Sequence, residues 1–152
     1  MEKIEKRNVI RGINLRFIDS NIFIHAWIKP KRKLNEKEMA IKENSKKILQ
    51  RVEKGEKVVT SVIHLSEIAN LLESRMRLDK SLIYIEAIIG NRNIEIVEVD
   101  KNDLIESLEI AKKYRIGLVD AVAVTIMEKL GIKEIYTQDK DIRRANVIPI
   151  KE

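Results

Sequence analysis

Leu15–Ile28, LRFIDSNIFIHAWI, is the stretch on which the reading of the fold turns. Leu15-Arg16-Phe17-Ile18 has the apolar character of a short strand, and Asp19-Ser20-Asn21 stops it with residues that favour turns and helix caps. Asn21 to Ile28 is then apolar almost throughout, which predicts a buried helix stopped at Pro30. A strand, an acidic stop and a helix in immediate succession make the opening of an α/β unit.

Working outward, the same pattern recurs. A basic loop, Lys31–Asn35, leads to a helix predicted over 36–54, with Met39, Ile41, Ile48, Leu49 and Val52 as its apolar positions and Gly55 as its stop. Lys57–Thr60 predicts a second strand. Ser61 then caps a helix to about Ser74, on which Val62, Leu65, Ile68, Ala69 and Leu72 form one apolar arc. A further helix spans 79–89, closed by Gly90-Asn91, and Ile94–Val99 is the third strand. Asp103-Leu-Ile-Glu106 has capping-box spacing and opens a helix through Tyr114, which gives Asp103 a structural task. Gly117 breaks the chain. From Asp120 to Leu130 the sequence is apolar on nearly every side, as a helix buried on most sides should be, and Gly131 ends it. Lys133–Thr137 and Asn146–Ile150 are the fourth and fifth strands. Strands alternating with helices predict an α/β fold, a three-layer α/β/α sandwich around a mostly parallel sheet of four to five short strands. Residues 1–14 read as an N-terminal appendage and 15–152 as one domain.

Composition narrows the chemistry. The 152 residues, 44% hydrophobic and 36% charged, suffice for one sizeable core under a charged surface. No apolar run is long enough to span a membrane and no signal-peptide pattern opens the chain, so a cytoplasmic protein is expected. With no cysteine, disulfides, thiolate zinc sites and thiol nucleophiles are excluded together. Abundant Lys, Glu and Ile without cysteine follow the trend of proteins from hot environments, which implies a thermophilic source. A net charge of +6 favours a polyanionic partner. The basic residues, however, are spread over Lys31–Lys33, Arg75, Arg77, Lys112-Lys113 with Arg115, and Arg143-Arg144.

Four separated carboxylates carry the functional reading: Asp19 after the first strand, Glu67 on the helix after the second, Asp120 opening the helix that leads to the fourth, and Asp139 just past the fourth. In open parallel sheets, sites form beyond the carboxyl ends of the strands, and all four can reach that edge. Each also has an ordinary structural use. Asp19 or Asp120 could cap a helix, and Asp139 and Asp141 could serve a turn. Glu67, one turn from Ile63 and from Leu71, is harder to assign that way. Gathered together, the four would repel one another unless a divalent metal met them, and Mg²⁺ or Mn²⁺, one ion or two, suits such oxygen ligands. Asp141 is an optional fifth ligand. Ser20, Asn21 and Thr137 could orient the acids, and Arg143 and Arg144 could contact substrate phosphates. His25 and His64 read as partly buried polar residues, and Trp27 as core or interface. No catalytic Ser–His–Asp spacing is present and no glycine-rich phosphate loop follows a strand, so metal-assisted phosphodiester hydrolysis is the best-matched chemistry.

The pieces FIDSNIFI, SVIHLSEI, GLVDAVAV and IYTQDKDI, in that order over about residues 15–150, resemble the PIN domain family. The resemblance implies a compact α/β/α sandwich with a parallel sheet and a Mg²⁺- or Mn²⁺-dependent ribonuclease. Asp19, Glu67, Asp120 and Asp139 match the family's acidic positions, and Asn21 and Thr137 its frequent polar companions. Small members of this kind are often VapC-type toxins, which implies an RNA substrate, a homodimer and an antitoxin whose tail occupies the active cleft. The chain departs from the toxin pattern in its N-terminal appendage and in Ile142, where an aromatic often follows the last acids. The alternatives are a ribosomal-RNA processing or RNA-quality-control nuclease, and a non-catalytic RNA- or protein-binding module.

Overall fold

The structure, a computed structural model, describes residues 15–150; the expected appendage at 1–14 lies outside them. Five strands run β1 (Arg16–Ile18), β2 (Val58–Ser61), β3 (Ile94–Val97), β4 (Glu134–Tyr136) and β5 (Ile148–Ile150). They lie in the order β3-β2-β1-β4-β5, and every neighbouring pair is parallel. From β1 in the middle of the sheet the chain winds outward through β2 and β3, then returns to the other side of β1 for β4 and β5. The winding reverses between β1 and β4, the place where a crevice opens beyond the strand ends.

Six helices connect the strands: α1 (Ser20–Trp27), α2 (Glu36–Glu53), α3 (Val62–Arg75), α4 (Leu78–Ile89), α5 (Lys101–Tyr114) and α6 (Leu118–Leu130). A 3₁₀ turn, Lys140–Ala145, precedes β5. Strand side chains alternate between two cores. Phe17, Val59, Val97 and Ile135 face α5 and α6, whereas Ile18, Val58, Ile94 and Tyr136 face α1 to α4. A parallel sheet covered on both faces needs strands that are apolar on both sides, as these are. The expected three layers are present. Helix α6 is the most deeply set, with Ala121 through Met127 buried without interruption, as its all-round apolarity predicts.

Local signals set the helix ends. Asn35 and Glu38 form a reciprocal capping box on α2, and the Ser61 hydroxyl accepts the His64 backbone N–H at the start of α3. Lys42, reaching back from α2, donates to the carbonyls of His25, Ala26 and Ile28 at 3.2, 3.3 and 3.1 Å, and so closes α1 just ahead of Pro30. Gly131, at φ 69°, takes the left-handed position that terminates α6. One cap differs from expectation. The box on α5 pairs Asp100 with Asp103, not Asp103 with Glu106, so the helix starts at Lys101. Asp103 keeps a structural role: it closes the box and binds Lys129 of α6.

Candidate active site

Asp19 sits at the N-cap position of α1 with extended backbone (φ −76°, ψ 152°), yet its side chain makes no capping hydrogen bond. Its backbone N–H continues the β1–β4 ladder by donating to the Tyr136 carbonyl at 2.9 Å. Its carboxylate turns toward the loop after β4, where Oδ2 accepts from the Thr137 hydroxyl at 2.8 Å. Only 4% of the residue is exposed. The winding reversal thus places Asp19 and Thr137, which are 118 residues apart in sequence, against each other.

The Thr137 hydroxyl is the hub of this corner. While donating to Asp19, it accepts from Asn21 Nδ2 and from the Asp139 backbone N–H, both at 3.0 Å, which uses its one proton and both lone pairs. Asn21 holds the same loop from a second side, its Oδ1 accepting the Gln138 backbone N–H at 3.2 Å. Gln138 in turn donates to Asn44 and Ser45 of α2 at 2.9 and 3.1 Å. The sequence reading did not single out Gln138 or Ser45. The loop that carries Asp139 is therefore tied to α1 and α2.

Glu67, half-buried on α3, accepts from the Ser20 hydroxyl. Ser20 Oγ also lies 3.3 Å from Asp19 Oδ1, so one hydroxyl proton stands between two carboxylates. Asp120 lies in the first turn of α6, whose N-cap is Gly117, and is not itself a cap. The helix N-terminus there should favour ionisation. Instead the carboxyl is pushed up to about 7, chiefly by burial and then by the negative charges of Asp19, Asp139, Glu67 and Asp141, in that order. Asp19 is pushed up to about 6: burial raises it most, the Thr137 hydroxyl pulls it back, and the Glu67 charge adds to the rise. Carboxylates from β1, α3, α6 and the post-β4 loop thus feel one another's charge at a single corner of the sheet.

These groups are neighbours but not a closed ligand set. Among the described residues, no group of three or more acidic, histidine or cysteine side chains is arranged to hold a metal ion. The chemistry of the donors, all carboxylate oxygens carrying unrelieved negative charge, suits a hard divalent cation. Asp139 is partly occupied as a turn residue, its Oδ1 accepting the Asp141 backbone N–H at 2.9 Å. Asp141 is exposed, and its carboxylate lies 3.8 Å from the Arg144 guanidinium. Arg144 also donates to the Arg115 carbonyl at 3.0 Å, which holds the end of α5 beside the 3₁₀ turn, while Arg143 is exposed.

The histidines divide. His25 is exposed, and His64 is wholly buried, edge-on to Phe17 at 4.9 Å between ring centres. Ser61 Oγ is 2.6 Å from His64 Nδ1, and Nε2 is 3.8 Å from Asp19 Oδ1. This Ser–His–Asp line is not a nucleophilic triad, because Ser61 has no exposed surface through which to reach a substrate. The spacing Ser61-x-x-His64, which is N-cap to third helical residue, was the available clue to it.

No curated protein sequence matches the chain. Among solved structures it is similar to VapC20 of Mycobacterium tuberculosis, a sarcin-ricin-loop-cleaving toxin, with a TM-score of 0.68 and 20% identity over 88% of this chain and 97% of that one. It is similar also to VapBC2 of Rickettsia felis, solved bound to a DNA fragment from its promoter (TM-score 0.62, 14% identity, 90% and 97% of the two chains). A third likeness is to FitAcB of Neisseria gonorrhoeae (TM-score 0.62, 14% identity, 90% and 96%). At these identities the likeness is one of fold. The sequence profile of the PIN domain matches residues 16–148. That span runs from the first residue of β1 to the first of β5 and takes in every element bearing one of the gathered acids, and the chain belongs to the PIN domain family.

Proposed function

We propose that this chain is a Mg²⁺- or Mn²⁺-dependent endoribonuclease, the toxin of a VapBC-type pair, with Asp19, Glu67, Asp120 and Asp139 as its catalytic carboxylates. One observation carries the reading: at the reversal point of the sheet the buried Asp19 is joined through the Ser20 hydroxyl to Glu67 and through the Thr137 hydroxyl to the Asp139 loop, and burial and the charge of these acids raise Asp120. Such charge is a standing cost to the fold unless a cation meets it. The four acids would hold the ion, with Asp141 adding a ligand through water. When bound, the ion supplies polarisation of a phosphoryl oxygen and a water of lowered pKa.

The chain's own residues do the rest. Thr137 and Ser20 fix the Asp19 carboxylate, and Asn21 holds the Asp139 loop against α1. Asp120, half-buried beside the other acids, would share in holding the ion and in orienting its water. Lys112, Lys113, Arg115, Arg143 and Arg144, around the α5 end and the 3₁₀ turn, are exposed and would meet RNA phosphates. Helix α4 exposes Leu78, Leu82, Ile83 and Ile89, which supports a protein partner, a second copy or an antitoxin. Among the described residues no helix is long and apolar enough to cross a membrane, in keeping with the cytoplasmic setting that this reading requires.

Incubation of the protein with total RNA and Mn²⁺ tests the proposal. Wild type should cleave, chelator should stop it, and Asp120→Asn should lower the rate by at least a hundredfold; equal cleavage by the variant would refute the site. A second reading, a non-catalytic RNA- or protein-binding module, is favoured by the lack of a closed three-ligand set among the described residues. It predicts RNA binding that neither Mn²⁺ nor Asp120→Asn alters.

A further inference from the structure

The buried histidine has more to do with Asp19 than with the core around it. Its Nε2 is one of two buried side-chain polar atoms without a hydrogen-bond partner among the described residues. An unpaired polar atom in the interior costs about 1–3 kcal/mol and calls for a reason. Proton bookkeeping at the other nitrogen fixes what Nε2 carries. The Ser61 hydroxyl accepts the His64 backbone N–H at 3.1 Å and lies 2.6 Å from Nδ1. Ser61 is wholly buried, so its own proton would be stranded unless given to the Nδ1 lone pair. A neutral ring that accepts at Nδ1 carries its proton at Nε2. The ring is wholly buried edge-on to Phe17, an environment that disfavours the charged form.

The Nε2 atom lies 3.8 Å from Asp19 Oδ1. At that oxygen the Ser20 hydroxyl, 3.3 Å away, is shared with Glu67, and the Ser20 backbone N–H also acts on the carboxylate. The opposite oxygen, Oδ2, already has Thr137. At 3.8 Å the contact is longer than a hydrogen bond, so what reaches Oδ1 is the dipole of a neutral N–H from a wholly buried ring, where such an interaction is poorly screened.

We propose that His64 is a positioning residue for Asp19: a neutral imidazole, protonated at Nε2 because Ser61 holds Nδ1, whose N–H faces Oδ1 while Thr137 holds Oδ2. The carboxylate plane is thereby set from two directions, by α3 on one side and by the loop after β4 on the other. The inference rests on the reading of Asp19 as a metal-binding carboxylate. It goes beyond that reading by giving the site a support built into the β2–α3 junction.

Two variants and one spectrum test it. His64→Leu fills the same apolar pocket without a donor, and His64→Gln restores an N–H near the Nε2 position. Titration calorimetry with Mn²⁺ alone should show His64→Leu binding about tenfold or more weakly than wild type, the range seen when partners of metal ligands are removed. His64→Gln should recover most of the loss. In RNA cleavage, kcat should fall with KM little changed, since no substrate contact is removed. Nitrogen-15 spectra of the metal-free wild type, which depend on no variant folding, should show the ring protonated at Nε2. Wild-type Mn²⁺ affinity in folded His64→Leu, equal losses in the Leu and Gln variants, or a ring protonated at Nδ1 would overturn the proposal. Asp19→Asn run alongside separates the two claims: undiminished Mn²⁺ binding there overturns the metal-site reading, whereas lost binding there with full affinity in His64→Leu overturns the role of His64 alone.

Discussion

Replacing Asp19 by Asn should make the metal-free protein more stable at neutral pH, against the usual outcome for a buried, hydrogen-bonded residue. Asp19 is 4% exposed, and its carboxyl is held at about 6 against an ordinary 3.8. Keeping it ionised at neutral pH therefore costs the fold about 3 kcal/mol, an upper figure because neighbouring acids share the same field. The sign follows from proton uptake. Between about pH 4 and about pH 6 the folded state holds the proton that the unfolded chain has lost. Stability from this group is thus full below pH 4, falls as pH rises to about 6, and is flat above. Asn removes that slope and keeps the shape. Its oxygen can still accept from Thr137, and its amide can donate to Ser20, which frees the Ser20 proton for Glu67. Urea unfolding in chelator should give Asp19→Asn an advantage of about 1–3 kcal/mol near pH 7.5, shrinking to nothing near pH 4. Mn²⁺ at about a thousand times Kd should reverse the order, since it adds about 4.1 kcal/mol to wild type alone. A variant no more stable than wild type in chelator at neutral pH would refute the charge-repulsion argument.

Two more predictions test the frame around the site. Thr137→Val keeps the shape of the side chain but removes the hydroxyl on which Asp19, Asn21 and the Asp139 amide meet. It should cost about 2–3 kcal/mol in urea unfolding and speed amide hydrogen exchange at Asp139, and unchanged exchange there would show that the loop is held by other means. Lys42→Met leaves three carbonyls at the end of α1 without their donor. A loss of about 1–3 kcal/mol is expected, and a loss under about 0.5 kcal/mol would mean that water caps the helix equally well.

The three central strands were legible because they are buried on both faces and carry adjacent apolar residues: Phe17-Ile18, Val58-Val59 and Ile135-Tyr136 face opposite cores. Their ends moved by a residue or two, since the last residue of a run is decided by ladder partners elsewhere in the chain. The strand order was not legible, because nothing local to β4 says that it pairs with β1 across 118 residues. The start of α5 was misplaced for a definite reason. Both Asp100-x-x-Asp103 and Asp103-x-x-Glu106 have box spacing, and the first prevails because it sets Asp103 against Lys129 of α6, a partner invisible to local pattern. His64 was under-read likewise. A histidine three residues past a serine cap can satisfy Nδ1 locally and bury its ring completely, but only the packing of α3 over β1 shows that Nε2 comes near Asp19.

What separates the residues at N-cap positions from one another is the use each makes of its side-chain oxygens. Asn35, Asp100 and Asp19 all stand at N-cap positions with extended backbones. The first two accept the amide three residues on, as capping requires. Asp19 forgoes that bond and turns to a hydroxyl in the loop after β4, beside other acids. Asp120 enjoys a helix N-terminus and is still hard to ionise, because burial first and then four like charges outweigh that favourable end. A fold selected for stability alone would let Asp19 cap and would leave an uncharged residue at 120. Asp19, buried, and Asp120, half-buried, are each raised by burial and by the charge of neighbouring acids, and that cost, which a cation would remove, is the physical ground of the proposed metal site.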